Sequence, residues 1–376
     1  MLNATPLLKQ FLKDIDLTPA QKMKLENAKQ TVRSTLRKAF KDAGREIHDQ
    51  SGKTVAQKPK FWPQGSIAYK TANQPAYPPK QQIDIDDGTY LPMSFMDEMT
   101  PSVASSLFFA FVDRVLENLA VSKDWAFDGS KKTCVRLILD QESHIDVPLY
   151  AIPDDEFNLL EAKMNVASEG QIAAFSVNDN MYIEPDRVQL AHRDEGWKAS
   201  DPRKIHKWFL TKVQHHGNDN QLRRICRLIK AWRDNHDDLD GLTSILLMVA
   251  VTEIYDGHDE MPKRDDLALL IVADELPHIL SRDIYNPAEP DESLSARVPT
   301  AVLRKATDRM WNLRQDINGT LNSYSQDAAL SRIRDHFGTR VPERPDLILI
   351  DSARVEVEKH PAATMAMAAI IPSKSG

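Results

Sequence analysis

A chain of 376 residues, 41 % hydrophobic and 27 % charged, is long enough for two cores and has the make-up of a soluble globular protein. Its formal net charge of −7 argues against a surface that grips a polyanion over a wide area and leaves only a local basic groove as an option. Two cysteines, Cys134 and Cys226, are too few for a four-cysteine zinc site or a disulfide framework, and both are expected reduced in a cytoplasmic interior.

The N-terminus reads as an amphipathic helix with Leu7, Leu8, Phe11 and Leu12 on one face and no cleavage pattern. A second helix is expected over 20–50, where Ala20, Met23, Leu25, Ala28, Val32, Leu36 and Phe40 recur at helical spacing. The polar stretch Ser51 to Lys60 breaks it. Gly65-Ser66 follows a Trp62-Pro63 corner, then a Pro-rich segment from Thr71 to Lys80, then a strand over Gln82 to Tyr90. Pro101 starts a helix that would bury Val103, Leu107, Phe111, Val115, Leu116 and Leu119. Two strand-like runs come next, 134–139 and 144–150. From Ser200-Asp201-Pro202 the pattern turns helical, with Ile205, Trp208 and Phe209 behind that start and further helices over 222–233 and 243–255. Asp283 to Val298 reads as a surface loop. The division expected is 1–200 as a catalytic core with its N-terminal helices, 201–360 as a helical lobe, and 361–376 as a tail. The apolar run Ala362 to Ile371 is well short of the ~20 residues of a membrane span.

Asp84 and Asp86 flank Ile85 in a strand, so both carboxylates face one side while Ile83 and Ile85 pack on the other. Residues two apart in a strand lie roughly 6.5–7 Å from one another. Two anions at that spacing repel by about 2 kcal/mol at an effective dielectric near 20. A divalent cation such as Mg2+ turns the repulsion into ligation. The plainer reading is an exposed polar strand face beside a turn at Asp87-Gly88. Asp146 adds weight, because an aspartate between Ile145 and Val147 is costly unless paired or metal-bound. If its strand lies beside the first, three acids could hold two Mg2+ ions about 3.5–4 Å apart, which suits in-line phosphoryl transfer. His144 shares the parity of Asp146; the bland role, a satisfied polar neighbour, is preferred over that of a partner to the metal ligands.

Gly65 lets the backbone approach a phosphate, and Ser66 adds a hydroxyl at a helix start, where free N–H groups favour anions. By contrast, Ser51-Gly52-Lys53-Thr54 is a decoy: a P-loop needs Gly five residues before Gly52, and Ile47 stands there. In Leu222 to His236 the apolar stripe is joined by Arg223, Arg224, Arg227, Lys230 and Arg233. Most of these belong on a solvated face, but Lys230 could reach a triphosphate if the helix flanks a cleft, with Ser244 adding a hydrogen bond.

Gly-Ser, then Asp-x-Asp, then a lone Asp on a later strand resembles the polymerase-β-type nucleotidyltransferases. The segments FWPQGSIAYKT, IDIDDGTYLPM, HIDVPLYAIPDDEF, SDPRKIHKWF and ICRLIKAWRD resemble the bacterial CD-NTases, particularly the Vibrio-type dinucleotide cyclases, over roughly residues 60–255. The resemblance implies an α+β fold: a mixed-sheet nucleotidyltransferase core joined to a mainly helical C-terminal lobe, with a central cleft between them. It implies that Gly65 and Ser66 hold triphosphate, that Asp84, Asp86 and Asp146 are catalytic Mg2+ ligands, and that Gln64 and Tyr69 contact the nucleotide or its base. Lys230 and Ser244 match phosphate-binding positions. Lys70 stands where the close relative has an acid, and the Pro-rich spacer before Asp84 diverges. ATP and GTP, or two copies of one of them, would be joined and closed into a 3′,3′-linked cyclic dinucleotide for antiphage signalling through a downstream effector. The zinc-bearing insertion of animal DNA sensors is absent, which argues against direct activation by DNA. Some relatives are conjugated through a C-terminal Gly by a ubiquitin-transfer-like partner, and this chain ends in Gly376. Two rivals remain: an RNA- or protein-modifying nucleotidyltransferase, and a nucleotide-binding regulator without catalysis.

Overall fold

Among the described residues, seven strands form one mixed sheet: β2 (Lys60–Gln64), β3 (Ile83–Pro92), β4 (Ala126–Asp128), β5 (Cys134–Ile138), β6 (Ser143–Ile152), β7 (Gln189–His192) and β8 (Gly196–Ala199). In the computed structural model, which describes residues 1–51, 58–93, 101–153 and 188–350, the order is β2-β3-β6-β5-β4, with β7 on the end of β6 and β8 beyond it. Only β3 and β6 pair in parallel among the described residues. A parallel pair needs a crossover, and α4 (Pro101–Lys123) with β4 and β5 supplies it.

One face of this sheet is covered by α4 and by α2 (Pro19–Ser51), a helix of 33 residues and so about 50 Å long. Leu25, Ala28, Val32, Leu36 and Phe40 of α2 and Phe108, Val112 and Leu116 of α4 pack there on Ile83, Ile85, Ile145, Val147 and Leu149. Three residues of the expected apolar pattern lie outside this core: Met23, Leu107 and Ala20, the last exposed in the first turn of α2. Met23 is 64 % exposed, because it sits about 200° around the helix from Leu25. Leu107 is 53 % exposed, because the buried stripe of α4 runs through Ala104, Phe108, Val112 and Leu116 and leaves Leu107 about 100° away.

The second core is helical: α5 (Pro202–His216), α6 (Gln221–Asp234), α7 (Ser244–Asp256), α8 (Asp265–Leu280), α9 (Thr300–Leu321) and α10 (Gln326–Phe337). Three of these helices start where a polar side chain satisfies a free N–H group, among them α10, where Ser325 accepts from Ala328 N. Asp201 caps α5 by accepting from Arg203 N, and Thr243 caps α7 by accepting from Leu246 N.

The first helix, α1 (Thr5–Asp14), buries Leu7, Leu8, Phe11 and Leu12 in this helical core and not against the sheet. A boundary at residue 200 therefore does not describe residues 1–15. The cause is a long-range contact: the N-cap Ala4 has no polar side chain to cap α1, and buried Asp266 accepts from Ala4 N at 2.7 Å and Thr5 Oγ1 at 2.9 Å. β1 (Leu2–Asn3) also pairs with β11 (Leu349–Ile350). The stretch expected as a loop, 283–298, contains a hairpin of β9 (Tyr285–Asn286) and β10 (Glu289–Ser293). Ile284 and Leu294 pin its two ends in the core, and Leu294 N donates to Ile284 O at 2.7 Å. The tail 361–376, with Gly376, and the decoy residues Gly52, Lys53 and Thr54 lie outside the described residues.

Candidate active site

Parallel pairing of β3 with β6 sets Asp84 opposite His144 and Asp86 opposite Asp146. Their neighbours Ile83, Ile85, Ile145 and Val147 face the α2/α4 core, so alternation turns these four polar side chains to the other face. On the far flank of β3, Gln64 lies opposite Asp86, and α3 (Gly65–Tyr69) begins at the next residue. Gly65 has φ +66°, and a Cβ there would stand 1.9 Å from Asp86 Oδ2. Only glycine allows that approach.

One ligand atom each from Asp84, His144 and Asp146 lie within 4.8 Å of one another. Arg136 of β5, opposite Asp146, donates Nε and Nη2 to its two carboxylate oxygens, both at 2.6 Å. Burial lowers the Arg136 pKa, but the bond and charge of Asp146 outweigh it and raise the value overall. Each oxygen of Asp146 keeps a second lone pair for a cation. Burial, followed by the charges of Asp84 and Asp146, holds the Asp86 carboxyl well above the usual carboxylate range. Such crowded acids fit a divalent cation, and so does an orphaned pair beside them. His144 Nε2 lies 3.1 Å from Asp84 Oδ1, yet neither buried atom has a hydrogen-bond partner. His144 is satisfied at Nδ1, 2.9 Å from Gln82 Oε1, as expected of a polar neighbour, and only its Nε2 beside Asp84 has no hydrogen bond.

Of the remaining expected residues, Gln64 and Tyr69 adjoin Asp86, while the contacts of Lys230 and Ser244 are with Thr71 and Arg233. Gln64 is buried, donating Nε2 to Tyr90 Oη at 3.1 Å and accepting from Tyr150 Oη at 3.2 Å. Its amide therefore braces the stacked rings of Tyr90 and Tyr150, 4.7 Å apart. Tyr69 is buried against His206 and Phe209 of α5, at 5.4 and 6.1 Å, and helps to join the lobes. Burial, then the charge of Asp86, raises its hydroxyl pKa. Ser66 is half-buried, and its carbonyl accepts from Thr71 N at 2.9 Å. Lys230 of α6 is buried and donates Nζ to Thr71 O at 2.8 Å; burial, then Arg233, pushes its ammonium down to about 8. Ser244 Oγ accepts from Arg233 Nη1 at 3.0 Å.

Residues 70–82, between α3 and β3, form a strap along α6. Arg227 Nε donates to Asn73 Oδ1, Gln81 Nε2 to Asp234 O and Arg340 Nη1 to Gln74 O. Arg136 was missed from sequence, although a charge between Val135 and Leu137 carries the same signal as Asp146 in its strand. The pair of Arg33 on α2 with buried Asp87 was missed as well, Nε to Oδ2 at 2.7 Å; it ties the long helix to the opposite face of β3. No local pattern announces a contact across 54 residues.

Two family models match. The nucleotidyltransferase domain described as cyclic GMP-AMP synthase DncV-like covers residues 59–150, and the C-terminal domain of cyclic GMP-AMP synthase covers 219–350. A cyclic GMP-AMP synthase of Escherichia coli is 35 % identical over 298 residues, 75 % of this chain and 68 % of the relative. One of Vibrio cholerae is 34 % identical over 326 residues, 81 % of this chain and 72 % of the relative. The crystal structure of Vibrio cholerae DncV cyclic AMP-GMP synthase with the linear intermediate 5′ pppA(3′,5′)pG superposes with a TM-score of 0.78 at 28 % identity, covering 94 % of this chain and 99 % of that one. A mutant of the same enzyme in complex with ATP, GTP and 5MTHFGLU2 also gives 0.78, at 26 % identity, covering 93 % and 100 %.

Proposed function

The chain belongs to the DncV-like cyclic GMP-AMP synthase family of nucleotidyltransferases, and on that premise we propose that it makes a 3′,3′-linked cyclic dinucleotide from ATP and GTP. The observation that carries the reading is the β3–β6 register, with Asp84, Asp86, His144 and Asp146 on one face beside Gly65. Asp84, Asp86 and Asp146 hold two Mg2+ ions in this reading. When bound, the ions supply positive charge to the triphosphate and the departing pyrophosphate. Gly65 brings the backbone close to the phosphates and Ser66 contributes its hydroxyl, while Lys230 and Ser244 act from the helical lobe. Gln64 and Tyr69 contact the nucleotide or shape its surroundings.

Asp146, held in one orientation by Arg136, accepts the hydrogen bond of the acceptor 3′-hydroxyl. The hydroxyl oxygen bonds to the donor α-phosphorus, the bond to pyrophosphate breaks, and the hydroxyl proton leaves through the carboxylate. A second such transfer, within the linear product, closes the ring. No helix of the described residues is long and apolar enough to cross a membrane. The proposed setting is the cytoplasm, where the product would switch on an effector in antiphage defence, and Gly376 is the proposed conjugation point for a ubiquitin-transfer-like partner. Incubation of the pure protein with labelled ATP, GTP and Mg2+ tests the activity. A phosphatase-resistant cyclic product of mixed bases is expected. Label found only on added RNA or protein would refute it.

A further inference from the structure

We propose that His144 is a metal ligand through Nε2, so that the cation held by Asp84 and Asp146 has a mixed nitrogen and oxygen shell and binds Mn2+ in preference to Mg2+. This rests on the reading of Asp84 and Asp146 as metal ligands.

The tautomer of His144 follows from its surroundings. Gln82 Nε2 donates to the carbonyls of Asp140, at 3.0 Å, and Gln141, at 3.4 Å. Carbonyls only accept, so the amide oxygen is the atom turned to His144, and Oε1 lies 2.9 Å from Nδ1. Nδ1 must carry the hydrogen of that bond. In the neutral ring Nε2 then presents a lone pair, as a metal-binding histidine does when a partner on its other nitrogen fixes the ring.

That lone pair belongs to a residue only 7 % exposed, and it has no hydrogen-bond partner. Asp84 Oδ1, 3.1 Å away, is orphaned too. Two such atoms this close need a proton on Nε2 or a metal cation between them, and the contact lacks the alignment that a shared proton would impose. Adjacent donors on one octahedral ion with bonds of ~2.1 Å stand about 3 Å apart. They also aim at the shared ion and not at each other, which accounts for a short separation without hydrogen-bond alignment. An oxygen of Asp146 completes the group. Mg2+ favours oxygen donors, whereas first-row transition ions accept imidazole readily. His144 therefore biases the site toward Mn2+.

The test uses the full chain without nucleotide. Mn2+ binding is titrated by electron paramagnetic resonance, Mg2+ is measured by competition, and pulsed measurements read nitrogen hyperfine coupling on bound Mn2+. Wild type is expected to show 14N coupling, and His144→Gln to lose it. The substitution should weaken Mn2+ by about tenfold and change Mg2+ by less than about twofold. Bound Mn2+ that is removed by Asp84→Ala but shows no 14N coupling in wild type overturns the role of His144 and leaves the carboxylate site standing. Mn2+ binding indifferent to Asp84→Ala overturns that underlying site and the proposal together. The wild-type spectrum decides the issue even if the variant folds poorly.

Discussion

Gly65→Ala tests the close approach of α3 to β3. Two costs are separable. Holding alanine at φ +66° costs about 1–2 kcal/mol, because a Cβ crowds the backbone in the left-handed region. The new Cβ would also stand 1.9 Å from Asp86 Oδ2 and 3.0 Å from its Cγ. Ordinary contact needs ~3.5 Å, so the Asp86 carboxylate must swing roughly 1.5 Å out of place. Displacement of a catalytic group by about 1 Å costs on the order of a hundredfold in rate. Gly217→Ala is the control: φ is +55° there, but nothing lies within 4 Å of the added Cβ. Denaturant unfolding should show a loss of at least about 1–2 kcal/mol in Gly217→Ala and a larger one in Gly65→Ala, where the overlap with Asp86 adds to the backbone cost. Pyrophosphate release should fall about a hundredfold in Gly65→Ala alone. A Gly65→Ala enzyme within about threefold of wild type, or a Gly217→Ala enzyme equally impaired, would falsify the reasoning.

Two further predictions concern buried charge. The Asp86 carboxyl is raised in the folded state, so the metal-free fold retains a proton that the unfolded chain loses above its ordinary value of ~3.9. Stability contributed by that proton is complete below ~3.9 and is lost as pH rises through the higher folded value. Urea unfolding in chelator should show this decline in wild type and a flatter profile in Asp86→Asn; identical profiles would dismiss the crowding of acids as a source of strain. Lys230 has its ammonium lowered to about 8, so the folded protein binds that proton less favourably than the unfolded chain, whose value is ~10.4. Its penalty is full below pH ~8 and fades toward ~10.4, so Lys230→Met should be more stable than wild type at pH 7 by up to about 3 kcal/mol, less the lost bond to Thr71. The gap should close at high pH, and nucleotide affinity should fall; a variant less stable at pH 7 would contradict this.

Local patterns revealed much of this protein in the sequence. Alternation around Ile83, Ile85, Ile145 and Val147 placed both aspartate strands, because burial of one sheet face leaves a period of two that needs no knowledge of partners. Helical spacing found α1, α2, α4 and the lobe from Pro202 onward for the same reason. The strand motifs and the segment FWPQGSIAYKT carried the family resemblance. Other features depend on contacts between distant residues. α1 joins the second core because Asp266, more than 250 positions away, caps it. Met23 and Leu107 are apolar, but their angular positions fall outside stripes that become visible only when the opposing surface is present. Arg136 meets Asp146, and His144 is left facing Asp84, because β6 lies between β3 and β5 in one definite register. The sequence specifies which side of each strand its polar groups occupy; strand order and register, set by packing of the whole sheet on α2 and α4, decide which of those groups meet.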